Sequence, residues 1–268
     1  CFTFLCYLHT MSYKLRHNRF GEKMPTNLSI VIPAYKESER LPGNLHKICR
    51  FLENEKLEKD KSEIIIVLEE CEDREISIGA IEEIKKEFPD INITYMRNNG
   101  RFGKGYTVRR GVLGAKGEYI LMTDADLSVP IEELNTVWSY LKNSNYDCVI
   151  GKRVQIIKQP PHRKIMGWGF RTLTKTLLRM NFHDTQCGFK LFTNDFGKQV
   201  FKDITIPGFG FDIEMLALGL QKDYKIGEKA VKWYDDARST VVAIKDSLTM
   251  FGNLLEVRKN IKNIKRRG

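Results

Sequence analysis

The chain has 268 residues, 42% of them hydrophobic and 29% charged, enough to bury a substantial core in one α/β domain and too apolar for a disordered chain. Lys and Arg number 44 against 34 Asp and Glu, a formal net charge of +10, which points to an anionic partner: nucleic acid, anionic lipid or a phosphorylated substrate. The six cysteines (Cys1, Cys6, Cys49, Cys71, Cys148 and Cys187) include no CxxC pair and no zinc spacing with histidine, which sets aside a zinc module and predicts reduced thiols in a cytosol-facing protein.

The chain begins with Cys rather than Met. Residues 1–8 are apolar but far short of the roughly 20 that a membrane span requires, and the run lacks the basic leader and small-residue cleavage site of a signal peptide; residues 1–26 then turn basic and irregular. They are expected to form a poorly ordered or lightly membrane-associated extension, with Met24 a plausible start. Residues 28–32 then make a short apolar strand ended by Pro33, and 41–52 carry helical periodicity. Residues 63–68, with Ile-Ile-Ile-Val at their centre, read as a buried strand; 76–88 are amphipathic; 91–96 alternate as a strand. A helix over 106–115 follows a glycine-rich turn, and the strand 118–122 runs straight into Thr123, Asp124, Ala125 and Asp126. The helix 131–141 has acidic residues in its first turn, favourable to the helix dipole, and 146–150 are a strand.

After Gly151 the rhythm breaks. Residues 151–163, basic and holding a Pro-Pro pair, read as a loop; 165–180 as a helix; 185–192 as a compact turn and strand; 211–220 as a helix; 225–233 as a strand; and 243–264 as a long amphipathic helix with a basic end. Alternating strands and helices predict an α/β fold, a mostly parallel sheet flanked by helices. The simplest division is an extension over 1–26, one domain over 27–242 and a basic amphipathic helix over 243–268, which either packs on the domain or lies in a membrane interface. No segment is long and apolar enough to span a bilayer.

Four segments carry chemistry. Asp124 and Asp126, at a strand exit, can present hard oxygens to Mg²⁺ or Mn²⁺ and so neutralise a diphosphate; the alternative is a solvated acidic turn. The loop 98–105 (NNGRFGKG) can attract phosphate through its amides, with Arg101 and Lys104 adding charge, or can simply cap a helix. Lys152, Arg153, Lys158, Arg163, Lys164 and Arg171 suit phosphate oxygens, or form a solvated basic loop. Residues 184–190 (DTQCGFK) and 208–214 (GFGFDIE) set acidic groups among glycines and aromatic rings, as a sugar cleft or lipid groove would; the alternative is core aromatics with Asp212 capping the helix 211–220.

In this order the segments resemble family-two inverting glycosyltransferases, most closely the dolichyl-phosphate glucosyltransferases and the related mannose synthases, from about residue 28 to about 258. SIVIPAYKE over 29–37 resembles their opening strand and loop, GKGYTVRRG over 103–111 their GKGxAxRxG segment, LMTDAD over 121–126 their metal-binding strand end, and VIGKR over 149–153 their IGSR element with Lys152 for serine. DTQCGFK over 184–190 matches the glucosyltransferase branch letter for letter, FDIEML over 211–216 resembles an FDxELL helix, and VKW over 231–233 a strand ending in tryptophan. Two positions depart from the pattern: LEECED over 68–73 puts Glu69 where a base-contacting aspartate is expected, and Ser128 follows the DxD where mannose synthases tend to carry glutamine.

The resemblance implies a GT-A fold and metal-dependent transfer of a hexose from a nucleotide sugar (UDP-glucose favoured, GDP-mannose the runner-up) to polyprenyl or dolichyl phosphate. It implies a peripheral enzyme on the cytoplasmic face of a membrane and no nucleic-acid partner. Pro33, Ala34, Tyr35, Glu37 and Glu69 would hold the nucleotide, with Gly103, Lys104 and Asp124 along its phosphates; Asp124 and Asp126 would hold Mg²⁺ or Mn²⁺; Arg153 and Arg163 would clamp the acceptor phosphate; Asp184 and Gln186 would position the sugar. A hydroxyl acceptor would instead need a general base, for which Asp212 and Glu214 are the residues at hand. A non-catalytic module binding anionic membrane or nucleic acid is the remote third reading.

Overall fold

The computed structural model describes residues 27–55, 62–155, 172, 174–178, 180–234, 252 and 254–261. Seven strands, β1 (Leu28–Ala34), β2 (Glu63–Leu68), β3 (Asn92–Arg97), β4 (Tyr119–Met122), β5 (Cys148–Gln155), β6 (Lys190–Thr193) and β7 (Ile226–Trp233), form one sheet in the order β3-β2-β1-β4-β6-β5-β7. Six named helices flank it: α1 (Leu41–Asn54), α2 (Arg74–Glu87), α3 (Lys104–Gly114), α4 (Glu133–Ser144), α5 (Asn194–Phe201) and α6 (Phe211–Gln221).

Strand periodicity divides the core between the two faces. Ile30, Ile32, Ile64, Ile66 and Leu68 pack on one side with α1, α2 and α4; Val31, Ile65 and Val67 pack on the other with α3, α5 and α6. β2 is buried at every position, as expected for a parallel strand covered on both faces. Residues 252 and 254–261 are helical, and Leu254 and Val257 are buried in the second core, so this stretch of the expected C-terminal helix packs on the domain. No helix among the described residues is long and apolar enough to cross a membrane.

The feature that builds the site is β6. Every other neighbouring pair in the sheet is parallel, but β6 runs antiparallel to both β4 and β5. Its entry therefore lies beside their exits. The segment before Lys190 is brought to the same edge of the sheet as Asp124 and Arg153, although 60 or so residues separate it from the former.

The structure corrects one expectation at this edge. Residues 151–155 are not loop; they continue β5 and pair in parallel with β7, from Gly151 opposite Lys229 to Gln155 opposite Trp233. The ladder satisfies their backbone, so the exposed basic side chains that suggested a loop stand on a strand. The eight-residue α5 was not foreseen; Thr193 starts it by accepting a hydrogen bond from the Phe196 amide at 3.2 Å. The expectations for residues 1–26, for Arg163 and for most of the 243–268 segment lie outside the described residues.

Candidate active site

The exits of β1, β4 and β5 and the entry to β6 surround a cavity of about 400 Å³. Pro33, Ala34, Tyr35 and Glu37 reach it from β1, Glu69 from β2, Gly103 and Lys104 from the start of α3, Asp124 and Asp126 from β4, Arg153 from β5, Gln186 from the approach to β6 and Asp212 from α6. Asp184 is not part of the lining and acts on it through Arg153.

The β4 exit is a tight turn. Leu127 takes a positive φ of 47°, uncommon for a bulky side chain, and the turn is held by Leu127 N–H to Asp124 O at 3.2 Å, Ser128 N–H to Asp126 Oδ1 at 3.0 Å and Tyr234 N–H to Ser128 O at 2.8 Å. Asp124 forms an ion pair with Lys104 at 2.7 Å. Its carboxylate also rests against Gly188, where any Cβ would collide with it. Burial alone would push the Asp124 carboxyl up; the ammoniums of Lys104 and Lys190 and the Arg153 guanidinium outweigh burial and hold it below the usual carboxylate range.

Beside it Glu37 grips Arg40 in a bidentate pair, Nε to Oε2 at 2.8 Å and Nη2 to Oε1 at 2.7 Å. Burial still drives the Glu37 carboxyl up to about 7: Arg40 pulls it down, while the charges on Asp126 and Asp124 push it further up. The charges of both aspartates thus reach Glu37 at this rim, as lesser contributions beside burial.

Glu69 is only 3% exposed and is turned toward the α3 loop. It accepts from the Gly103 amide at 3.2 Å, from Asn98 Nδ2 at 3.1 Å and from the Thr107 hydroxyl. A carboxylate of the protein therefore already sits at the N-terminus of α3, where a phosphate was one expectation for the loop. Gly103 is needed there: its φ is +100°, and a Cβ would come within 2.7 Å of Pro207 O. Above the loop the Arg101 guanidinium stacks on the Tyr35 ring, 4.5 Å from its centroid.

The opposite rim is cationic. Arg153 meets Asp184 edge to edge, Nε to Oδ2 at 2.7 Å and Nη2 to Oδ1 at 2.9 Å, and its guanidinium lies 5.5 Å from the centre of the Trp233 ring. Burial would raise the Asp184 carboxyl, but Arg153 holds it below its ordinary value. Glu228 fixes the segment in turn, accepting the His183 and Asp184 amides at 2.8 and 2.7 Å.

Beneath the cavity lies a buried pair. Lys190, with no exposure, donates to Asp212 Oδ1 at 2.6 Å and to the carbonyl of Cys187. Burial pushes the Asp212 carboxyl up, against the pull of Lys190 and Lys104. Sequence reasoning gave Lys190 no role, and nothing in the sequence marks a lysine as buried. Arg40 was missed too, although its three-residue spacing from Glu37 at a helix start was a usable signal. Glu214 does not line the cavity: it is fully buried and its oxygens bind Thr205, the Ile206 amide and Asn260, which removes it as a general base.

Among the described residues the cysteines are unpaired thiols: Cys49, Cys148 and Cys187 are buried and Cys71 half-buried, and burial drives the Cys49 thiol up to about 12 and that of Cys187 to about 11. Among the described residues no group of three or more His, Cys, Asp or Glu could hold a metal unaided. Two carboxylates on one rim suit a hard cation such as Mg²⁺ or Mn²⁺ that completes its shell with diphosphate and water oxygens. Both carboxylates line the cavity, and the charges of both reach Glu37 beside them. The residues present fit a metal shared with a ligand.

The model of the family described as Glycosyl transferase family 2 matches residues 29–201. The chain is 32% identical over 243 residues to a dolichyl-phosphate beta-glucosyltransferase of Dictyostelium discoideum, covering 86% of this chain and 73% of that one. It is 33% identical over 239 residues to another so named from Trichomonas vaginalis, covering 86% and 72%. Among solved structures it superposes on mannosyl-3-phosphoglycerate synthase from Rubrobacter xylanophilus with a TM-score of 0.64 at 14% identity, over 90% of this chain and 75% of that one, a likeness of fold.

Proposed function

The chain belongs to glycosyl transferase family 2 and is a glycosyltransferase of GT-A fold, and from that premise we propose that it moves glucose from UDP-glucose to dolichyl or another polyprenyl phosphate at the cytoplasmic face of a membrane. GDP-mannose is the runner-up donor. The names of the relatives support the sugar and the acceptor. The observation that carries the reading is the pairing of rims across one cavity: carboxylates at the β4 exit facing Arg153 at the β5 exit.

Tyr35 and Arg101 offer flat faces to the nucleotide base, and Asp124 and Asp126 take Mg²⁺ or Mn²⁺ together with the donor diphosphate. That metal, when bound, neutralises the leaving diphosphate. A lipid phosphate with a second pKa of about 6 is largely dianionic near neutral pH. Such a nucleophile requires no general base; it requires a cation that holds it beside another anion. Arg153 is that cation. Asp184 uses its Nε and Nη2 edge, which orients the guanidinium and leaves Nη1 for the acceptor. Arg163 is assigned the same acceptor from outside the described residues. Gln186, which lines the cavity, positions the sugar, while Asp184 contributes through the Arg153 that it orients; the anomeric carbon becomes oxocarbenium-like and inverts in a single displacement. Asp212 is bound to Lys190, which disfavours the rival reading in which it deprotonates a hydroxyl acceptor.

The test offers UDP-glucose or GDP-mannose with a short polyprenyl phosphate and Mn²⁺ or Mg²⁺. Formation of a glucosylated lipid phosphate is expected. Transfer to a sugar or protein hydroxyl and none to phosphate, or no binding of either donor, would overturn the reading.

A further inference from the structure

We infer that the Lys104 ammonium is a place-holder for the divalent cation: it neutralises Asp124 in the donor-free protein and must leave that carboxylate before the metal and the diphosphate settle. The inference rests on the proposed metal and donor site and adds an order of events to it.

Three observations carry it. First, the ion pair is direct, 2.7 Å from Lys104 Nζ to Asp124 Oδ1, so one oxygen of the proposed ligand already has a cation. Second, Asp124 has no room to withdraw. Gly188 lies behind its carboxylate so closely that a Cβ there would collide with both oxygens, and the β4 exit is locked by the turn through Leu127. The partner that moves is therefore the lysine, a charge on a four-carbon stem. Third, the lysine has no equally good seat elsewhere in the donor-free site. The other carboxylates whose charge it feels are both engaged: Asp212 is bound at 2.6 Å by the fully buried Lys190, and Asp126, whose Oδ1 accepts the Ser128 amide, is the metal's second proposed ligand.

Charge counting then gives the order. A divalent cation arriving alone would evict one ammonium onto a carboxylate that already holds another, leaving excess positive charge in a half-buried site. A cation arriving with a diphosphate brings the anion that accepts Lys104 as it swings away. Metal and nucleotide should thus promote each other, and by linkage each improves the other's binding by the same factor.

Direct coordination of the metal by the diphosphate would also couple the two, so coupling alone does not isolate Lys104. The discriminating quantity is the affinity for Mn²⁺ with no nucleotide present, read as loss of the free-Mn²⁺ electron paramagnetic resonance signal during titration of the purified chain. Wild type is expected to bind Mn²⁺ weakly alone and more tightly with UDP as the probe. Lys104→Met is expected to bind Mn²⁺ alone about tenfold more tightly, with a smaller further gain from UDP. Lys104→Arg, which keeps the charge, should stay with wild type. Circular dichroism checks that each variant is folded, and Lys104→Gln supplies the same reading if the methionine variant is not.

If the lysine variants bind UDP less tightly but bind Mn²⁺ alone no better than wild type, Lys104 is a phosphate ligand only and the inference falls while the proposed site stands. If no variant and no wild-type sample binds Mn²⁺ even with UDP, the metal site itself falls, and the inference with it.

Discussion

The two rims of the cavity differ in how deeply their charges are paired. At the β4 exit the Asp124–Lys104 pair is 34% and 21% exposed, within reach of an incoming ligand. Below the β5–β6 side the Lys190–Asp212 pair is almost wholly out of water. Arg153–Asp184 stands between them, its arginine about one-third exposed and its carboxylate mostly covered. A shallow pair exchanges partners with a substrate, so its loss should appear in binding and turnover. A deep pair is part of the scaffold, so its loss should appear in stability.

The largest effect should come from the shallow rim. Asp126→Ala is expected to lower turnover about a thousandfold, equivalent to about 4 kcal/mol of transition-state stabilisation, with the melting temperature little changed. A fall of only a few-fold in a coupled glucosyl-transfer assay would break the comparison at its main point. Next, Lys190→Met strands a buried carboxylate and is expected to cost about 3 kcal/mol in urea unfolding. Adding Asp212→Leu should recover most of that stability without recovering activity. If Lys190→Met were instead fully stable, the deep pair would not be scaffold.

Arg153→Lys tests the intermediate case. A lysine keeps the charge but loses the two-edged grip on Asp184, so KM for the lipid phosphate should rise about tenfold while KM for the nucleotide sugar holds. The smallest effect concerns Glu37. Its folded carboxyl lies at about 7 against a reference of 4.5, so the folded state holds a proton that the unfolded chain has lost. That contribution is complete below pH 4.5 and is lost as pH rises through 7. Thermal melts at pH 5 and pH 8 should show wild type losing stability relative to Glu37→Gln, and equal slopes would dismiss the effect.

The β4 rim was far more legible in the sequence than the β5 rim, for a physical reason. A parallel strand covered on both faces reads as an apolar run, and Glu63–Leu68 does so plainly; a carboxylate pair after such a run announces a strand exit. The far half of β5 is a half-exposed strand whose Lys152, Arg153 and Val154 look like loop, because the partner that makes them a strand is β7, more than 70 residues further on. Lys190 reads as surface in any local window, since the carboxylate that meets its charge, that of Asp212, arrives from α6. Glu69 was read from its place in a motif as a base contact; its hydrogen bonds to Gly103, Thr107 and Asn98 depend on the loop folding back over it.

The reversed strand also bears on the order of assembly. β1, β2 and β3 pair across short stretches of chain, Ser29 with Glu63 and Glu63 with Asn92, whereas β6 joins β4 only by closing the longer stretch from Met122 to Lys190. Loop-closure entropy makes the second event the later one. During synthesis β1 to β3 could set their ladder before β6 has left the ribosome. Pulse-labelled hydrogen exchange on refolding protein should accordingly protect the amides of 64–67 before those of 190–192, and simultaneous protection would mean that the sheet forms as one unit.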